Sequence, residues 1–426
     1  MKATEVFISG GLPTITYNPR PDLGLENKLL EYIDTGYKLI SITGPTKSGK
    51  TVLCTKLIPQ GKCLFLSGGA ITNEADFWES ILNELNVDIE DSTTTAKSES
   101  FEKGGEIEGG IDIGLFKLGS KAGDKESTSS EVSHTSVKIR SIKLLALKKL
   151  LEYNVALLID DFHYIDSDLQ KNIVRALKQP IFNGLRVIIL AVPHRAFDAL
   201  RVENEMTGRV VQLSIPLWNV EELIEIAIKG FYQLNVTCND NIIQRLANES
   251  YGSPHLMQEF CLRLCKQNNI SETVDGVAII LPEPDYTQFF NSIVESISSK
   301  VAFERLAKGP RQRADRVQRE LASGETVDIY TATLHGIAET GPKTQISYEE
   351  LRASMRKVLS ENIPQGHEIT RVLSKMDEIA KEELHGEPVI DWDKDNTTLY
   401  IADPFFAFYL KWAVKSNTNS HHDTPH

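Results

Sequence analysis

Residues 44 to 51 read Gly44-Pro45-Thr46-Lys47-Ser48-Gly49-Lys50-Thr51, the spacing GxxxxGK followed by a hydroxyl residue. These types in this order suit a polyphosphate. Glycines let a loop wrap closely enough that successive backbone N–H groups, and the N-terminus of a following helix, face anionic oxygens. Lys50 brings positive charge to the β- and γ-phosphates, the Thr51 hydroxyl is a hard oxygen ligand for Mg²⁺, and Val52 completes the expected nucleotide-binding stretch. A second cluster, Asp160-Asp161, comes directly after the apolar run Val155–Ile159. Asp160 is expected to hold the magnesium, directly or through water, and Asp161 to orient or deprotonate an attacking water. Taken alone, the acidic pair also admits a plainer reading as an N-terminal cap on the next segment.

Such chemistry needs a scaffold that brings a strand into the loop and a helix out of it. Leu39–Thr43 reads as that strand, and Thr51–Ile58 as the start of that helix. Cys63–Leu66, Val155–Ile159, Val187–Val192 and Val210–Ile215 are further β-rich apolar runs separated by helical patterns. Strands without period-two alternation, spaced by helices, imply a parallel sheet covered on both faces. Its acidic pair would then lie at a strand's carboxyl end, where open α/β sheets bind ligands. One stretch, 90–138, interrupts this region with Ser, Thr, Gly, Lys and Glu; its alternating fragment 106–119 fits a glycine-rich β-hairpin and a disordered loop equally.

At about 150 residues per domain, 426 residues imply two or three domains. Hydrophobic residues at 41% and charged residues at 25% exclude wholesale disorder. A formal charge of −13 argues against a chain that coats nucleic acid or anionic membrane over its whole surface. The longest apolar runs fall far short of the roughly 20 residues a membrane helix needs, and the first residues lack the apolar core of a secretory signal, so a cytoplasmic location with no membrane contact is expected. Five scattered cysteines suit a reducing compartment, and Cys261 and Cys265 are expected to be buried apolar residues, not ligands.

From Val220 onward the pattern is helical. Ser347-Tyr348-Glu349-Glu350 has capping-box spacing ahead of a helical stripe, a second stripe runs from about Glu368 to Glu383, and Val389–Asp393 with Thr398–Ala402 reads as a hairpin. Two helices and a hairpin are the elements of a winged helix. The second helix is locally acidic and so a poor reader of DNA. Lys300 to Arg319, in contrast, carries seven basic residues against two acidic ones. With Ala314, Val317 and Leu321 inward, Arg311, Arg313, Arg316 and Arg319 would fan outward to track a phosphate backbone, dock an acidic protein, or simply be solvated.

The loop GPTKSGKT with LLIDDFHYID resembles the AAA+ and STAND branch of P-loop ATPases, especially origin-recognition-like and transposition-associated members, over about the first 265 residues. The resemblance implies ATP as the nucleotide, with Ile15–Arg20 near the adenine. Arg195, after the strand 187–192, is similar to the STAND sensor arginine that feels the γ-phosphate; an ordinary solvated arginine fits as well. Arg209, just before the last strand, resembles the finger that reaches a neighbouring subunit's nucleotide, though a plain surface arginine fits as well; with it, Lys50, Asp161, Arg195 and Arg209 make the expected catalytic set. Tyr251-Gly252-Ser253-Pro254-His255 is similar to a lid motif, so Pro254 and His255 join the nucleotide-binding set. His255 stands where many AAA+ proteins have a sensor arginine, and Gly-Ser-Pro looks more like the STAND version. Asp403-Pro404-Phe405-Phe406 is similar to the DPFF segment that follows the winged helix in archaeal-type ATPases.

Together these readings predict an α/β chain with a P-loop NTPase parallel sheet, a helical lid and a C-terminal winged-helix domain. The expected domains are a core over 1–216, a lid over 217–285, a basic linker and winged helix over 286–415, and a disordered tail over 416–426. The expected function is an ATP- and Mg²⁺-dependent switch that assembles with copies of itself and signals to a separate effector, in antiviral defence or a mobile element. A DNA-binding initiator or transposition regulator, and a hydrolysis-deficient nucleotide scaffold, are the alternatives.

Overall fold

The computed structural model describes residues 1–87, 127–192, 208–310, 316–341, 343–384 and 388–415, with side chains of the helix Ser127–Glu152 described from residue 139. The chain forms two compact units. One comprises Glu26–Thr43 and Leu53–Ser214; the other comprises Met1–Leu25, Gly44–Val52 and everything from Ile215.

In the first unit the five apolar runs become parallel strands β1 (Leu39–Thr43), β2 (Cys63–Ser67), β3 (Ala156–Asp160), β4 (Val187–Ala191) and β5 (Val210–Ser214), in spatial order β2-β3-β4-β1-β5. Every residue of β1 and β4 is buried, as strands covered on both faces require. Thr43 pairs in register with Ala191 and Ser214, and Ser67 with Asp160, so all the carboxyl ends share one edge. With β4 between them, the ends of β1 and β3 are two strand spacings, about 10 Å, apart. One face of the sheet packs on the helices Glu74–Glu84, Ser127–Glu152 and Ser167–Phe182 through residues at helical spacing, among them Phe77, Trp78, Ile81, Ile173, Val174 and Leu177. The helix from Ser127 begins inside the stretch 90–138, and the fragment 106–119 lies outside the described residues.

The second unit is mostly helical. Helices Val220–Gln233, Asp240–Glu249, Pro254–Gln267 and Tyr286–Val294 share one core with helices Ser299–Lys308, Ile329–Glu339, Tyr348–Val358 and Gly366–Glu382. Asn219 with Glu222, and Ser347 with Glu350, close capping boxes that satisfy otherwise orphaned helix-terminal N–H groups. Two short ladders, β6 (Val236–Thr237) with β7 (Ile279–Ile280) and β8 (Arg319–Glu320) with β9 (Thr326–Val327), decorate the helices. Strands β10 (Gln345–Ser347), β11 (Ile390–Asp393) and β12 (Thr398–Ile401) form an antiparallel sheet in the order β10-β12-β11. The chain then turns into the helix Pro404–Tyr409 and a π-helical turn Leu410–Lys415. These drive Phe408 and Trp412 into an aromatic cluster, 5.1 Å from the Phe260 ring and 4.6 Å from the Phe290 ring.

The basic segment folds differently from the expected outward fan. Its helix stops at Lys308, because Gly309 adopts φ +60 and Pro310 follows. Arg316 then turns back into the protein. Its guanidinium pairs with Asp328, donates to the carbonyls of Lys308 and Pro310, and lies 4.5 Å from the Tyr330 ring centroid. Arg319 is only 4% exposed and donates to Glu368 (3.0 Å) and to the Val317 carbonyl. Val317, expected inside, is 58% exposed. Arg316 and Arg319 are therefore internal ties, not a surface for nucleic acid or a partner; Arg311 and Arg313 lie outside the described residues.

No helix among the described residues is long and apolar enough to cross a membrane. Cys261 and Cys265 are buried free thiols, with burial pushing Cys265 up to about 12 and Cys261 well above its usual range.

Candidate functional site

The glycine loop leaves β1 at Gly44, and its helix Lys50–Leu57 starts at the lysine of the motif. Two positions need unusual backbone: Gly49 has φ +96, and Lys47, without glycine's freedom, is held at φ +58. Gly44 is required for another reason, since a Cβ there would stand 2.7 Å from the Ile215 carbonyl oxygen and 3.0 Å from Ser48 Oγ. The loop is drawn tight. The Lys50 ammonium donates to the carbonyls of Gly44 and Pro45, both at 2.9 Å, and the Ser48 N–H points back to the Pro45 carbonyl. Thr46, Ser48 and Lys50 are buried, and Ser48 Oγ has no hydrogen-bond partner among the described residues.

An outer brace holds this loop. The Trp218 indole N–H donates to the Ser48 carbonyl at 2.9 Å. Trp218 is in turn gripped by Arg20, whose guanidinium lies 4.8 Å from the indole ring and donates to the carbonyls of Pro216 and Leu217, each at 2.9 Å, and to Glu222 at 2.8 Å. Arg20 is 4% exposed. It belongs to the stretch Ile15–Arg20 expected near an adenine; its observed bonds fasten the segment 216–222 that braces the loop.

The lid motif begins at Tyr251, in left-handed conformation at φ +50, with Gly252 packed against Leu217 and the Trp218 carbonyl. The Tyr251 hydroxyl is buried without a hydrogen-bond partner among the described residues, and burial raises its pKa. Ser253 caps the helix that Pro254 opens. His255, one residue in, lies edge-on to Phe405 with ring centroids 4.8 Å apart. Burial, then the neighbouring Lys47, hold its pKa below the ordinary histidine value.

In the sheet unit, Asp160 ends β3 and its Oδ1 accepts the Asp161 N–H at 2.9 Å. Asp161 has φ +53 and precedes the short turn Phe162–Tyr164, yet its side chain makes no capping bond to that turn. Gly68, at the end of β2, lets this corner form, because a Cβ there would stand 2.4 Å from the Asp161 carbonyl oxygen. Cys54 lies close by; burial, then Cys63 and Asp160, push its thiol up. At the opposite end of the sheet Arg209 is exposed, its carbonyl accepting the Leu39 N–H (2.9 Å) and its guanidinium 5.9 Å from the Phe182 ring. Arg195 lies outside the described residues.

Of the residues expected in the loop, Gly44 to Val52 form one continuous turn and helix start within a unit that also holds Pro254 and His255. Sequence reasoning missed Gly68, Trp218 and the brace through Arg20. A strand-end glycine one position past Ser67, and an Asn-Pro-Arg turn, were the available signals.

No family model matches the chain, and no curated protein matches it. Solved structures do. The Walker-type ATPase paby2304 of Pyrococcus abyssi is 14% identical, with 93% of this chain and 99% of that one covered at a TM-score of 0.51. The Aeropyrum pernix ORC2 protein in its ADPNP–ADP complexes is 14% identical, over 99% and 98%, at 0.48. Cdc6p from Pyrobaculum aerophilum is 12% identical, over 98% of each chain, at 0.43. With the parallel order β2-β3-β4-β1-β5 and a glycine loop leaving β1, the chain has the α/β fold of P-loop nucleoside triphosphatases.

Proposed function

We propose that this chain binds ATP with Mg²⁺, hydrolyses it, and uses the cycle as a switch between assembled and released states. The observation that carries the reading is that β1, the strand leading into the glycine loop, and β3, the strand ending in the acidic pair, present their carboxyl ends on one edge of a parallel sheet. The loop's N–H groups and helix N-terminus receive the phosphates, and Lys50 leaves the carbonyls of Gly44 and Pro45 for the β- and γ-oxygens. The buried Ser48 hydroxyl gains a partner that it lacks among the described residues.

The donor set fits magnesium. Thr51 and Asp160 supply hard oxygens, and Mg²⁺ needs few protein ligands because it keeps water and phosphate oxygens around it. When bound, the ion neutralises charge on the β- and γ-phosphates. Asp161 orients the attacking water, Arg195 senses the γ-phosphate, and Arg209 acts on a neighbour's site. Residues 217–285 serve as the lid. The sheet β10-β12-β11 with the helices Tyr348–Val358 and Gly366–Glu382 has the parts of a winged helix, through which the state passes to a separate effector; defence or transposition would use such an output. Arg316 and Arg319 face inward, so these two do not serve a DNA-binding surface.

Two substitutions test the proposal. Lys50→Ala should abolish ATP binding in calorimetry; Asp161→Asn should retain binding and lose hydrolysis by about 10²-fold or more. Normal turnover in Asp161→Asn would remove it as the water-orienting group, and no heat from wild type with any nucleotide would end the ATPase reading.

A further inference from the structure

Lys47 lies at the heart of the phosphate loop, yet its ammonium faces the C-terminal part of its own unit. Asp403 Oδ1 is 2.6 Å from Lys47 Nζ, and the Phe405 ring centroid is 4.7 Å from it. Phe405 stacks edge-on with His255, and His255 seals against Gly10, where a Cβ would stand 3.3 Å from the imidazole. Asp403 is engaged twice, because the same Oδ1 also accepts the Phe405 N–H at 2.9 Å and starts the helix Pro404–Tyr409. The ion pair is largely sheltered, with side chains 27% and 16% exposed, so solvent screens it less than a surface pair.

We propose that Asp403 and Phe405 form a latch on the phosphate loop, which the triphosphate of ATP opens by competing for Lys47. The inference rests on the reading that Gly44–Thr51 takes a nucleotide. A triphosphate brings several negative charges within reach of Lys47, drawing its ammonium inward, while the Asp403 carboxylate repels the incoming phosphates. Latch and nucleotide oppose each other, and by reciprocity each weakens the other by the same factor. Phe408 and Trp412 keep the distal part of the segment in the aromatic core. What loosens is residues 403–405 and the strand that enters them, β12, the middle strand of the three-stranded sheet. Nucleotide occupancy thereby reaches the C-terminal sheet along a short covalent path.

The test uses the full chain. Asp403→Asn removes the charge but keeps the oxygen that caps the helix, and binding of a fluorescent ATP analogue with Mg²⁺ is compared with wild type. The expected result is affinity tighter by about fivefold or more. Hydrogen exchange over residues 398–405 should rise when a non-hydrolysable ATP analogue binds wild type, and Lys47→Gln should show the raised exchange with no nucleotide present. Wild type that binds nucleotide while Asp403→Asn binds it equally or more weakly, or while exchange at 398–405 stays unchanged in wild type and Lys47→Gln, overturns the latch and leaves the nucleotide site standing. Wild type that binds no nucleotide overturns the site itself and the latch with it.

Discussion

His255 shows how one side chain ties the loop's surroundings to solution conditions. Burial and the Lys47 charge depress its pKa, while Asp403 and Glu259 pull the other way without reversing the outcome. The folded chain therefore keeps the imidazole neutral. As pH falls through the ordinary value of 6.5, the unfolded chain takes up a proton that the folded chain refuses. The stabilisation is present above that value and is lost as pH drops toward the folded one. His335, depressed by burial with Glu325 opposing, adds a second contribution of the same sign. The melting temperature should fall between about pH 7.5 and about pH 5.5, and a His255→Asn, His335→Asn double variant should flatten that fall. A wild-type curve that rises over this interval would refute the assignment.

Among elements, the corner at Gly68 and the seat of Glu249 make separable predictions. Gly68→Ala would push a methyl group into the Asp161 backbone, moving the carboxylate without touching the phosphate loop's own sequence. ATP binding should persist while turnover falls by about tenfold or more, since a displacement of about 1 Å in a positioned group can cost about 10²-fold. Glu249, 3% exposed, receives Lys411 at 2.7 and 2.8 Å and the Trp412 indole at 3.1 Å, fixing the last turn to a helix more than 160 residues earlier. Glu249→Ala removes the carboxylate that Lys411, the Trp412 indole and Arg245 share; with Lys411 one-third exposed, a cost of about 2–3 kcal/mol is expected in denaturant unfolding. The sequence made the strands and the glycine loop readable, because apolar runs and motif spacing are local signals. It did not make the basic segment readable. Seven cations within twenty residues looked like a face, but Gly309-Pro310 broke the helix, and Asp328, Glu368 and Tyr330 supplied partners that only folding brings near. Lys47 with Asp403, 356 residues apart, has no local signature at all.

At the scale of the whole molecule, the question is whether the chain works alone. Arg209 is exposed at the amino end of β5, and the carboxyl ends of the strands, where the acidic pair lies, are at the other end of the sheet. A guanidinium so placed, if it serves catalysis, serves a second copy. Its neighbour Phe182 is 60% exposed, so the pair offers an aromatic and a cationic contact on one surface. Arg209→Ala alone should lower turnover by about 10³-fold while leaving ATP affinity near wild type. Asp161→Asn alone should also be inactive. Mixing the two should restore part of the activity, because an Asp161→Asn protomer can lend its Arg209 to an Arg209→Ala neighbour whose own site is intact. Sizing with ATP and Mg²⁺ should show the assembled species in that mixture. Full turnover by Arg209→Ala alone, or inactivity of mixtures that demonstrably assemble, would mean that each copy acts on its own nucleotide and that Arg209 belongs only to the surface.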